Sequence, residues 1–191
     1  MPVGLLSASQ RERLSRFPDD LSPGELRRYF ELSADELSAV RSVRGATNRL
    51  GFALQLCALR LMGFAPDDLQ SAPTPAVAFL ARQVDASVGD LAAYGERAHT
   101  RTDHAALAMD VLGFRAAGET ERRELAAWLL HRALEHDRPS LLFELAADWL
   151  RAGRVARPGV TQLERLVASV RAEATQETYR RIEHLLVSMD V

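Results

Sequence analysis

Arginine, asparagine and glutamine are the side chains of this chain best suited to hold a ligand, and they collect in a few places. Between Leu37 and Pro66 there are four arginines and no carboxylate. Arg44, Asn48, Arg49, Gln55 and Arg60 supply nearly all the polarity of an otherwise apolar stretch that ends at Gly63. At helical spacing Arg49, Ala53, Leu56 and Arg60 share one side, and Arg44, Asn48 and Gln55 another. Arginine forks onto phosphate, and arginine, asparagine and glutamine read base edges bidentately in the major groove. Caps and helix braces use the same groups, so this segment alone leaves both uses open.

A second constellation is Tyr94-Gly95-Glu96-Arg97-Ala98-His99-Thr100-Arg101-Thr102-Asp103-His104, leading to Leu112-Gly113-Phe114-Arg115. A short helix, a polar turn, a helix and a glycine stop outline a helix-turn-helix. Thr100, Arg101, Thr102 and His104 would then stand at the start of the second helix, where free N–H groups favour phosphate. The competing interpretation is an ordinary solvated helix start with Thr102 as N-cap. Arg151, Arg154 and Arg157 form a third group with no acid before Glu164, suited equally to gripping a backbone from a loop and to a merely solvated loop. Arg11, Arg13 and Arg16 have acids beside them. The pairs Arg27-Arg28, Arg122-Arg123 and Arg180-Arg181 sit among glutamates and read as surface ion pairs.

Catalytic motifs are missing: there is no Gly-rich phosphate loop, no GxSxG and no HExxH. His99 and His104, and likewise His131 and His136, lack metal-ligand spacing with a third ligand, so neither metal nor cofactor is implied. Cys57 is the single cysteine, which rules out an intramolecular disulfide. Lysine is absent, and every one of the 24 basic side chains is arginine. The net charge of −2 argues against coating nucleic acid through the overall field, though a local patch suffices for DNA. With no signal-peptide pattern and no run of about 18 apolar residues, the expectation is a cytoplasmic protein off the membrane.

The elements that must position these groups are all helical. Ser22-Pro23 and the Ser33–Glu36 capping box start helices. A long helix runs from near Thr47 to Met62, and others cover 76–85, 102–112, 119–136, 141–151 and 160–189, the last as one helix or a pair. Residues 65–75 hold three prolines and many turn formers. The expected organisation is all-α, two small modules with helix-turn-helix-like elements: 1–65, a Pro-rich linker over 66–75, and 76–191.

The ordered set of these segments resembles the N-terminal region of the Tn-three family transposases of bacterial class II transposons. The residues that carry the resemblance are Leu32-Ser33, Asp35, Val40, Arg44-Gly45, Asn48-Arg49-Leu50-Gly51-Phe52-Ala53-Leu54-Gln55-Leu56-Cys57 and Leu59-Arg60. Tyr94, Arg97, Thr100-Arg101, His104, Leu112 to Arg115, Leu150-Arg151, Pro158-Gly159 and Leu163 to Val167 continue it. The resemblance implies a helical region that binds the terminal inverted repeats as double-stranded DNA, with self-association of transposase a further expectation. It also implies that strand transfer belongs to a separate DDE domain, so that this chain, cut or truncated, has no catalysis alone. The DNA-contacting set is then Arg44, Asn48, Arg49, Arg60, Arg97, Thr100, Arg101, His104, Arg115, Arg154 and Arg157. The alternative is a helical interaction or regulatory module that does not touch DNA.

Overall fold

The computed structural model describes residues 5–95 and 98–189, and they are almost wholly helical. The helices are α1 (Ala8–Arg13), α2 (Pro23–Phe30), α3 (Ala34–Ser42), α4 (Ala46–Met62), α5 (Thr74–Gln83), α6 (Ala98–Leu112), α7 (Glu119–Glu135), α8 (Pro139–Ala152) and α9 (Val160–Met189). Short 3-10 turns cover Leu69–Ser71 and Val88–Ala93. Strand β1 (Arg115–Ala116) pairs in parallel with β2 (Val155–Ala156).

Local chemistry starts the helices where the sequence places them. The Ser22 N–H donates to Glu25 Oε2 at 2.8 Å and the Ser33 N–H to Glu36 Oε2 at 2.7 Å. The serine hydroxyls accept from the glutamate N–H groups in return, which satisfies two free donors at each start. Helix α4 is apolar all round, and Leu50 to Leu59 are buried without interruption. It is the axis on which α2, α3, α5 and α6 pack. Gly63 ends it at φ +76°, a left-handed conformation that glycine adopts without strain, and the Gly63 N–H closes the last turn on Leu59 O at 2.9 Å. Cys57 lies inside this core, where burial pushes its thiol up to about 12.

Two hydrophobic clusters form, and they divide at a different place from the expected linker. The first runs from Phe17 to Ala108, with Phe114 packed against it; the second takes Leu6 together with Leu125 to Val170. Residues 66–75 do not separate them. Leu69 and Ala72 are buried in the first cluster, and α5 and α6 pack on α4. The prolines there shape a wrap across the core, with Asp68 accepting the Gln70 N–H at 2.9 Å. Helix α6 begins four residues before Thr102, and α9 is one helix rather than a pair. The β1–β2 pair, too short to leave a period-2 signal, ties the end of the first cluster to the second.

The N-terminal segment belongs to the second cluster. Arg11 reaches Glu164 through Nε and Nη2, both at 2.8 Å, and the Leu6 N–H donates to the same carboxylate at 3.0 Å. The Arg11 bonds, with the Leu6 N–H behind them, hold the Glu164 carboxyl down at about 2. A depressed carboxylate contributes stability above its unfolded pKa and loses it as pH falls through the folded one. Glu164→Gln should therefore lower stability by about 2 kcal/mol at pH 7. The gap between variant and wild type should close between about pH 4.5 and pH 2. Urea titrations at pH 7 and pH 3 test this; an equal gap at both would mean that the carboxylate charge is not what holds the segment.

Candidate nucleic-acid interface

Helix α2, the ends of α4 and α6, and the turn between α8 and β2 meet around a cleft of about 530 Å³. Its charged lining is Arg28, Arg60, Arg151 and Arg154 against a single carboxylate, Glu36, with Leu112, Phe114 and Ala152 between them. Glu36 is already neutralised: it pairs with Arg60 Nη2 and caps α3. Arg28 lies over the Tyr29 ring, 5.1 Å from its centre. Arg151 donates to Asp148 at 2.9 Å. Arg154 holds φ +51° in the turn that leads into β2. For a non-glycine residue the left-handed conformation costs about 1–2 kcal/mol, and it recurs where surrounding structure fixes a functional side chain.

A common rule positions many of the expected contact residues. Arg157 donates to Leu14 O after α1 at 2.8 Å, and Arg60 to Glu31 O after α2 at 2.8 Å. Arg49 reaches Val84 O after α5 at 3.1 Å and Asp85 O at 3.2 Å. Arg154 reaches Leu112 O at the end of α6 at 3.1 Å, and Arg115 reaches Gly153 O after α8 at 2.8 Å. Each of these arginines therefore closes the C-terminus of a different helix. The last carbonyls of a helix lack intrahelical donors and carry the negative pole of its dipole, so a guanidinium fork suits them. The arginine and the helix it closes are 29 to 143 residues apart in sequence, beyond the reach of any local pattern.

The remaining expected residues take other places. Asn48 donates to Arg44 O at 3.1 Å and braces the start of α4. The Arg44 side chain is exposed, with no hydrogen bond or ion pair among the described residues. Thr100 is half-buried in the first turn of α6. Arg101 is exposed, lies over Gly95 and donates to Asp67 O at 2.9 Å. His104 is half-buried, bonded to Tyr94 Oη at 2.9 Å and packed 5.3 Å from the Phe52 ring. Burial pushes its pKa below the ordinary histidine range, although Asp103 pulls the other way, so at neutral pH it offers no cation. Arg97 lies outside the described residues.

Of the expected set, then, the cleft gathers Arg60 and Arg154. It adds Arg28, which sequence reads as one half of a surface pair, and Arg151. Arg101 stands eleven residues before Leu112 on α6, about 16 Å along the axis from the cleft. Arg157 is not in a solvated loop but buried, 8% exposed, between the two clusters. A guanidinium enclosed in this way joins the clusters, and it meets solvent only through the clefts beside it.

Among the described residues no three histidines, cysteines or acids gather closely enough for a metal. None of the described helices is long and apolar enough to cross a membrane. Residues 5–170 match the family described as a domain of unknown function, DUF4158, and the chain belongs to that family. Its relatives are transposases. The chain is 32% identical over 188 residues to the transposase for transposon gamma-delta of Escherichia coli, covering 97% of this chain and 19% of that protein. It is 34% identical over 178 residues to the transposase for transposon Tn501 of Pseudomonas aeruginosa, covering 93% and 18%. It is 30% identical over 184 residues to the transposase for transposon Tn1546 of Enterococcus faecium, covering 96% and 18%. The chain thus spans about one fifth of the length of these relatives.

Proposed function

We propose that this chain is the DNA-recognition region of a transposase, and that it binds the terminal inverted repeats of its transposon as a duplex. Strand transfer is left to a catalytic domain elsewhere in a longer protein. The observation that carries this is the cleft with four arginines against one neutralised carboxylate, in a chain whose relatives are transposases. Phosphates in the cleft would fix register, and exposed side chains farther away, Arg44 in the turn before α4 and Arg101 on α6, would reach neighbouring groups of the duplex.

A gel-shift series with the cognate transposon end and a scrambled duplex, at 50 and 200 mM salt, tests it. With Arg60 spent on Glu36, three phosphate contacts give a slope of about −2.7 in log affinity against log salt, or about a fortyfold loss across that range. Equal affinity for both duplexes, or affinity indifferent to salt, would remove the proposal. A second interpretation, a helical module for transposase self-association, is favoured by one feature. Tyr179, Ile182, Leu185 and Leu186 are exposed on α9. That module would show a mass that rises with concentration and little response to salt.

A further inference from the structure

Three charged side chains are buried among the described residues: Glu36, Arg157 and Glu164. Glu36 is paired with Arg60, and Glu164 with Arg11. Arg157 has no carboxylate partner among the described residues. Its Nη2 donates to Leu14 O at 2.8 Å, its guanidinium stacks on Phe64 at 3.8 Å from the ring centre, and Phe143 stands at 5.6 Å. Its Nη1 is buried with no partner. Burial alone lowers its pKa to about 10. A desolvated cation without a counter-ion is costly, and structures that retain one generally supply an anion.

Arg157 lines a cleft of about 480 Å³ bounded by α1, the end of α4 and α8. The walls are largely apolar, with Leu14, Leu61, Met62, Phe64, Phe143 and Ala147 among them. Its other charged groups are Arg13, Arg16, Arg151, Asp19, Glu144 and Asp148. Asp19 and Asp148 are engaged by Arg16 and Arg151, which leaves Glu144, exposed on α8, as the other carboxylate. Arg151 lines both this cleft and the arginine cleft described above. A strand backbone lying along the arginines would therefore pass from one to the other.

We propose that this second cleft receives a phosphate group of the bound DNA strand, that Arg157 supplies its counter-charge, and that the apolar walls face the sugar. The proposal rests on the DNA-recognition reading and extends the phosphate path beyond Arg151. Phosphate is favoured over an acidic peptide because the cleft continues into one already lined by four arginines.

Two variants test it. Arg157→Met replaces an uncompensated buried cation by an apolar chain of similar length, which offsets the lost bond to Leu14 O, so thermal stability should change little. Duplex affinity should nevertheless fall more than about tenfold, and the salt slope should flatten by about one unit. Ala147→Trp fills the cleft while leaving Arg157 in place and should produce the same two losses; it decides the matter if Arg157→Met folds poorly. Wild-type salt dependence with unchanged affinity and slope in the variants would overturn the proposal and leave DNA recognition standing. Failure of the wild type to bind duplex would overturn both. Stabilisation by a glutamate-rich peptide that Ala147→Trp abolishes, with duplex binding untouched, would assign the cleft to protein and overturn the phosphate assignment.

Discussion

Gly51→Ala is expected to destabilise the protein by about 3 kcal/mol or more, although alanine is the better helix former by about 1 kcal/mol. A Cβ at Gly51 would stand 2.1 to 2.3 Å from Tyr94 Cδ2, Cε2 and Cγ, which is the body of the ring rather than a flexible end. The ring has nowhere to retreat. Tyr94 is 8% exposed, and its Oη is bonded to Gln55 Nε2 at 3.1 Å and to His104 Nδ1 at 2.9 Å. Moving it breaks buried hydrogen bonds, each worth about 1–3 kcal/mol once a partner is stranded. That outweighs the propensity gain. Denaturant titration of Gly51→Ala, Tyr94→Ala and the double variant reads this directly. The double variant should be more stable than the sum of the two single losses predicts, because the ring that clashes is gone. A Gly51→Ala protein as stable as wild type would show that α4 and Tyr94 do not meet in this way.

Arg28→Ala combined with Arg154→Ala should weaken duplex binding about a hundredfold, with a salt slope flatter by about two units. The loss should be the same for cognate and scrambled duplexes, because phosphate contacts carry no sequence information. Arg28 is exposed and forms no ion pair among the described residues, so its share of the stability change should stay within about 0.5 kcal/mol. Arg154→Gly is the informative companion. Glycine relieves the φ of +51°, which offsets the lost bond to Leu112 O, yet it removes the cation. A variant that folds as well as wild type and binds as poorly as Arg154→Ala would place Arg154 on the DNA. Full affinity in the Arg28/Arg154 double variant would clear the cleft of any role.

Much of the fold is legible in the sequence because its signals are local. The N-cap at Ser22, the capping box at Ser33, the apolar wrap of α4 and the glycine after it depend on residues a few positions apart, and all stand where the pattern puts them. Residues 66–75 mislead because proline and aspartate mark a turn without saying whether it crosses solvent or a hydrophobic face. Leu69 and Ala72, buried there, supply the distinction only in three dimensions. The site is less legible for a related reason. Arg49, Arg60, Arg115, Arg154 and Arg157 have the residue type that DNA requires, and helix ends require the same type. Only the carbonyls brought near by folding separate the two uses. Arg28 shows the converse: glutamates surround it in sequence, and it forms no ion pair with any of them in the structure.

Those arginines also set an order of disassembly in acid. Peptide carbonyls do not titrate, so the joints between Arg157 and α1, Arg60 and α2, Arg49 and α5, Arg154 and α6, and Arg115 and α8 keep their acceptors at any pH that leaves the chain intact. The tie between the amino-terminal residues and α9 runs instead through the carboxylate of Glu164, which takes up a proton near pH 2. Acid should therefore loosen Leu6 and its neighbours from α9, leaving apolar burial alone to hold them, while the helical frame behind them still stands.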